Sequence, residues 1–405
     1  MRQLFKEAIS GGQILFVAFG ALVLVPLLTG LNPAMALLGA GIGTLLFQLV
    51  TKYQVPIFLG SSFAFIAPIQ YSMLTWGAAA TLFGLFSAGF MYFIFALLIK
   101  WRGLGFIHTL LPPIVIGPVI MVIGLSVSVT ACQMAMGRAG NTQIIALPIA
   151  ICLATVSLGT TVVTAIYGKG LFRLLPILLG ATVGFIAAAL WGEVDFTRIH
   201  AANWWVAPTF IFPEVNWAAA FFMLPVAIAP AIEHVGGVMA IGSVTGKDYT
   251  RQPGLHRTLL GDGIGVCVAG LLGGPPVTTY AEVTGAVMIT RNFKVIIMTW
   301  AAILAVVLAF LGKFNALLQS LPLPVMGGIM LLLFGTIASI GLKTLIEAKV
   351  DLSHPRNIAI VSIVLTTGLG GLTISAGEFN LNGVGLCSIL AVILNLLLPP
   401  PSTRS

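Results

Sequence analysis

Charge is what this sequence has least of. Of 405 residues only 7% are Asp, Glu, Lys or Arg, while 59% are hydrophobic. An ordinary soluble domain carries roughly 25% charged residues. A globule of this length cannot hide so much apolar surface from water, so the solvent for most of the chain is lipid. Cysteine is sparse too. Cys132, Cys152, Cys267 and Cys387 fall inside apolar stretches at unrelated spacings. That argues against a disulfide or zinc framework and for small-hydrophobe packing. No Walker, Rossmann or HExxH pattern is present. No cofactor is therefore expected, nothing suggests that ATP drives the protein, and no metal cluster or catalytic triad points to an enzyme.

The net charge of +8 raises the question of nucleic acid. The basic residues are spread thinly between apolar stretches and form no patch interleaved with aromatics, so no nucleic-acid partner is expected. Topology accounts for them better. A span needs roughly 20 mostly apolar residues. Such stretches lie near 8–30, 33–51, 56–75, 78–99, 104–132, 143–166, 171–191, 215–242, 256–273, 276–292, 295–312, 321–341, 357–374 and 381–399. This gives an all-α polytopic membrane protein of fourteen spans, both termini on one side. Of the 19 Lys and Arg residues, 16 then share that side, and only Arg138, Arg198 and Lys313 fall on the other. Positive residues favour the cytoplasm, which places both termini there in an inner, or plasma, membrane. The N-terminal MRQLFKEAIS runs into its span without a small-residue cleavage site and reads as a retained first helix.

Seven spans precede residue 200 and seven follow it. An odd-numbered half, duplicated, must be inverted, as in many secondary transporters. Span three opens Val55-Pro56-Ile57-Phe58-Leu59-Gly60-Ser61-Ser62-Phe63, and span ten opens Gly274-Pro275-Pro276-Val277-Thr278-Thr279-Tyr280-Ala281-Glu282. Each reads as a short extended segment leading into a half-helix. Irregular backbone at membrane depth survives only when it is buried in protein or lines a cavity. Matched interruptions in two halves are the best pointer to a binding site.

Most of the acidic residues sit at span ends or in loops, but Glu233 and Glu282 do not. A carboxylate at mid-bilayer costs roughly 2.5–3.5 kcal/mol even on the lenient insertion scale, and is a functional hypothesis by default. Carboxylates accept strong hydrogen bonds, and half-helix N-termini donate them. Together they complement a small neutral ring with alternating N–H and C=O groups, such as uracil. Phe63 or Tyr280 offers a face to cover that ring. His234 follows Glu233 directly and points to another helix face. It is a candidate for a proton path or a satisfied core histidine. Asp262, between Gly261 and Gly263, reads as a helix-packing residue.

At these residues the sequence resembles the nucleobase–ascorbate transporter family, most closely its bacterial uracil permeases. The likeness covers nearly the whole chain. It includes Phe19-Gly20-Ala21 and Val23-Leu24-Val25-Pro26 in span one, Leu59-Gly60-Ser61-Ser62-Phe63-Ala64-Phe65 in span three, and Glu233-His234-Val235-Gly236 in span eight. Pro253-Gly254-Leu255-His256-Arg257, Thr278-Thr279-Tyr280 and Leu321-Pro322-Leu323-Pro324-Val325-Met326-Gly327-Gly328 continue it. The family signature is an acid, Gln or Pro, then Asn-x-Gly, four residues, Thr and a basic residue. Here it reads Glu282-Val283-Thr284-Gly285 through to Thr290-Arg291.

The resemblance implies a fourteen-span 7+7 inverted repeat with a core domain (1–100 and 215–314, spans 1–4 and 8–11) and a gate domain (101–214 and 315–405, spans 5–7 and 12–14). It implies that Glu233 and Glu282 hold a pyrimidine, that Phe63 packs on its ring, and that the backbone near Tyr280 and Ala281 adds hydrogen bonds. It further implies cation symport, with H⁺ the first expectation and Na⁺ the alternative, an elevator movement and a homodimer in lipid. Glu233 and His234 are the proton-coupling candidates. A sulfate- or bicarbonate-type anion transporter of the same fold is the alternative function, as is a xanthine- or purine-selective or Na⁺-coupled relative. The chain also departs from the uracil permeases. It has Gln13-Ile14 in place of their Gln-His, Gly237 in place of a second span-eight histidine, Val283 in place of the signature Asn, and Phe334 in place of a span-twelve Tyr.

Overall fold

Prolines begin many of the helices, as expected where the first N–H groups have no intrahelical acceptor. The structure, a computed structural model, describes residues 2–103, 105, 109–140, 142–169, 172, 175–290, 292–376 and 379–399. Helix α1 (Arg2–Thr29) leads through a tight turn into α2 (Pro33–Val50), where the Asn32 side chain caps the helix by accepting from Ala34 N at 2.9 Å. An extended stretch then carries strand β1 (Leu59–Ser61) and a single 3₁₀ turn at Phe63–Phe65. Next comes α3 (Ile66–Arg102), broken at Gly77, whose φ of 81° admits glycine readily. The break falls where the expected third and fourth spans meet.

Helices α4 (Pro113–Ser126) and α5 (Ser128–Ala135) precede a hairpin of β2 (Arg138–Ala139) and β3 (Thr142–Gln143). Helices α6 (Leu147–Tyr167), α7 (Pro176–Leu190) and the one-turn α8 (Thr197–Ala201) complete the first half. The second half opens with α9 (Trp217–Val226) and α10 (Ile228–Thr245), which are separated at Ala227. Pro225 and Pro230 flank that break, and each lacks the N–H that would continue the ladder. Then follow α11 (Leu255–Leu272), β4 (Val277–Thr279), α12 (Ala281–Thr290), α13 (Val295–Ala309), α14 (Gly312–Gln319), α15 (Leu323–Glu347) and α16 (Pro355–Leu369). A hairpin of β5 (Thr373–Ala376) and β6 (Phe379–Asn382) leads into α17 (Gly383–Leu397). The hairpin occupies positions read from sequence as the junction of the last two spans.

Among the described residues, eight helical runs are long and apolar enough to cross a membrane, and four further apolar helices have 10–17 residues. Helix α11 packs on α2 and α3, α9 packs on α3, and α13 packs on α1 and α2. In a second set, α15 packs on α4, α5 and α6, and α16 packs on α4 and α17. Close approach depends on small residues, as is usual between helices in lipid. A Cβ on Gly270 would lie 2.6 Å from Phe86 N, and one on Gly327 would lie 2.2 Å from Ala135 N.

Candidate functional site

The two extended segments named from sequence meet in space. β1 and β4 pair antiparallel with Leu59 opposite Thr279, Gly60 opposite Thr278 and Ser61 opposite Val277. Ser62 N extends the ladder by donating to Pro276 O at 2.8 Å, and Thr44 on α2 accepts from Leu59 N at 2.9 Å. The polar backbone of two strands at membrane depth is thereby partnered inside the protein. Both strands are fully buried.

Phe63 and Tyr280 continue from the two strands and stack, with ring centroids 6.5 Å apart and planes 12° from parallel. The Tyr280 hydroxyl donates to Ser61 O at 2.7 Å, which fixes its ring across the strand pair. Gly60 makes this possible, because a Cβ there would lie 2.4 Å from Tyr280 Cε2. Phe334 of α15 meets Phe63 edge-on, with centroids 5.7 Å apart and planes at 88°. The position flagged as a departure is thus an apolar wall of the site.

Glu233 sits half-buried on α10. Its neighbour His234 faces elsewhere and is fully buried, as the one-residue offset requires. His234 Nδ1 is 2.7 Å from Thr279 Oγ1 and 3.1 Å from Asp262 Oδ2 on α11. Asp262 Oδ2 thus approaches the imidazole closely, without the alignment of a good hydrogen bond. Asp262 therefore does more than pack α11. The signal for it was present in the sequence as a third acid in an apolar run, but its partner came from a different helix. Phe47 of α2 covers the imidazole edge-on at 6.2 Å.

Several buried groups gather behind the strand crossing, among them Tyr92 OH and Thr278 Oγ1, which face each other, and Ser61 Oγ, Ser62 Oγ and His234 Nε2, which have no hydrogen-bond partner among the described residues. Tyr92 on α3 lies within electrostatic reach of Asp262 and Glu233. Ala281 and Glu282 occupy the first turn of α12, directly after Tyr280. Their side chains lie outside the described residues, as does Arg291 at the end of the signature. The structure brings together Phe63, Tyr280 and the start of the Glu282 helix, and sets His234 behind them on the Thr279 hydroxyl. Val283, three residues after Tyr280, is buried. Gly237, which stands where the uracil permeases place a second histidine, faces Thr279 so closely that a Cβ would lie 2.7 Å from Thr279 Cγ2.

Two half-helices that start at a buried strand crossing, within a bundle of apolar helices, define a multi-pass membrane transporter. The chain matches the model of the xanthine/uracil permeases, described as the Permease family, over residues 5–377, and it belongs to that family. It is 53% identical over 394 residues to a probable uracil permease of Pasteurella multocida, covering 97% of this chain and 94% of that one. It is 44% identical over 395 residues to the uracil permease of Bacillus caldolyticus, covering 96% and 90%. The fold is similar to that of the transmembrane domain of the cyanobacterial bicarbonate transporter BicA, with a TM-score of 0.70, 16% identity and 96% of each chain covered.

Proposed function

We propose that this protein imports uracil, or a closely related nucleobase, across a bacterial inner membrane by cation symport, with the proton as the coupling ion. The observation that carries the reading is the Phe63–Tyr280 pair at the β1–β4 crossing, immediately before the helix that begins Ala281-Glu282. An aromatic face, a half-helix N-terminus and two carboxylates complement a flat ring bearing N–H and C=O groups along one edge. The names of the relatives support the same substrate class.

In this reading Glu233 and Glu282 accept from the ring N–H groups, Phe63 covers one face, and the backbone at Tyr280 and Ala281 serves the ring carbonyls. Phe334 closes the site from the opposite set of helices and offers no hydrogen bond. The fourteen spans form a 7+7 inverted repeat with both termini cytoplasmic. The core domain (1–100 and 215–314) carries the ligand past the gate domain (101–214 and 315–405) in an elevator movement, and two copies associate through lipid-embedded surfaces. The coupling proton rides on Glu233, while His234 is engaged with Thr279 and Asp262.

The test is uptake of labelled uracil, sulfate and bicarbonate into vesicles containing the purified protein, with and without an imposed pH gradient. Uracil uptake driven by external acid is the expected outcome. Uptake of sulfate or bicarbonate without uracil would overturn the substrate assignment, and uracil uptake that follows Na⁺ and ignores pH would overturn the coupling ion.

A further inference from the structure

Behind the Phe63–Tyr280 face, Thr279 is held from two sides. Its methyl group packs against the α10 backbone at Gly237, where a Cβ would lie 2.7 Å away. Its hydroxyl meets His234 Nδ1 at 2.7 Å, one turn earlier on the same helix. Asp262, fully buried on α11, places Oδ2 3.1 Å from that nitrogen. Helices α10 and α11 both pack on β4. Thr279 ends β4, and Tyr280 and the first turn of α12 follow it without an intervening loop.

A buried carboxylate is costly unless it is paired. Asp262 has no basic partner except the imidazole among the described residues. A neutral imidazole carries its proton on one nitrogen, and a carboxylate beside Nδ1 favours the proton there. The ring so oriented donates toward Thr279 Oγ1. Any shift of Thr279 would carry Tyr280 and the N-terminus of α12 with it, because β4 runs directly into that helix.

We propose that Asp262 and His234 are positioning residues for transport. Asp262 orients the His234 ring, and His234 together with Gly237 clamps Thr279, which fixes where Tyr280 and the α12 N-terminus meet the ligand. The inference rests on the reading of Phe63, Tyr280 and Glu282 as the ligand contacts.

Three variants test it. Thr279→Val keeps the shape and removes the hydroxyl, Thr279→Ser keeps the hydroxyl, and Asp262→Asn removes the charge. Two readouts are paired: the KM and Vmax for uracil uptake into vesicles, and amide hydrogen exchange over residues 277–284 of the ligand-free protein. Thr279→Val and Asp262→Asn are expected to raise KM about tenfold, the effect of losing one hydrogen bond to a charged or charge-oriented group. Vmax per folded transporter should change by less than about twofold, and Thr279→Ser should stay near wild type. Exchange over 277–284 should quicken in both damaging variants. The Asp262→Asn/Thr279→Val double variant should be about as impaired as the worse single, since both act on one contact. If Asp262→Asn fails to fold, the contrast of Thr279→Val with Thr279→Ser decides alone. Unchanged exchange in the folded damaging variants overturns the proposal, whatever their KM. If the wild-type protein takes up no uracil, the substrate reading fails, while the exchange measurement still judges the clamp.

Discussion

Phe334 meets Phe63 edge to face, at 5.7 Å and 88°, so a helix of one packing set touches the strand crossing of the other through two aromatic rings. Phe63 also stacks on Tyr280 and is almost fully buried. A flat ligand that enters between these rings exchanges one aromatic contact for another. Phe63→Ala should therefore weaken uracil binding by about 0.5–1.5 kcal/mol, or roughly two- to tenfold. Phe63→Tyr should be tolerated. Equilibrium binding of labelled uracil, read beside a thermal melt, checks this. Lost stability with unchanged affinity would make Phe63 a packing residue only.

Gly60 supplies a separate test of how the crossing is built. A Cβ at this position would lie 2.4 Å from the Tyr280 ring, which is itself tied to Ser61 O. Gly60→Ala must push that ring or open the strand pair. Overpacking of this kind costs about 1–3 kcal/mol, so the melting temperature should fall and uracil affinity should fall with it. An unchanged melt and unchanged affinity would show that the ring is not confined there.

The two extended segments were legible in the sequence, though not that they pair with each other. Two proline-led, β-branched or aromatic segments at matching places in the two halves became β1 and β4, whereas the contact of Gly60 with the Tyr280 ring emerged only in the structure. Charge within apolar runs singled out Glu233 and Glu282, while Asp262 read as a packing residue. What the sequence could not supply was the partner of each group. Asp262 and His234 come from different helices, and Thr279 lies between them only after β4 has packed on α10 and α11. The break at Ala227 within the expected eighth span was signalled by Pro225 and Pro230. The β5–β6 hairpin was missed because its residues, Thr373–Asn382, adjoin two apolar runs and blur into them.

The carboxylates make the most demanding prediction about affinity. Removal of a charge-assisted acceptor should cost about 1.5–3 kcal/mol, or roughly ten- to a hundredfold in affinity. Glu233→Ala and Glu282→Ala should each fall in that range. Glu282→Gln keeps the shape and an acceptor oxygen, and should lose less than Glu282→Ala. Near-wild-type uracil binding in both alanine variants would remove these residues from the site.

Proton coupling should run through Glu233 rather than His234. The imidazole is fully buried and its Nδ1 is engaged by Thr279 and Asp262, so a proton gained or lost there would disturb the strand that supports the site. Glu233 is half-buried on the adjacent face of α10. If α10 moves across the membrane with its ligand, an ionised carboxylate is expensive to carry through the apolar interior, and a protonated one is neutral. External acid would load the proton, and the more alkaline cytoplasm would take it up as uracil leaves. Glu233→Gln mimics the neutral form permanently. It should retain exchange of uracil across vesicles at equal pH, but should not concentrate uracil when the outside is made acidic. His234→Asn keeps an N–H close to the position of Nδ1 and should retain gradient-driven accumulation, at reduced affinity. The measurement is counterflow at equal pH beside uptake under an imposed gradient. Accumulation by Glu233→Gln together with its loss in folded His234→Asn would move the proton carrier to the histidine.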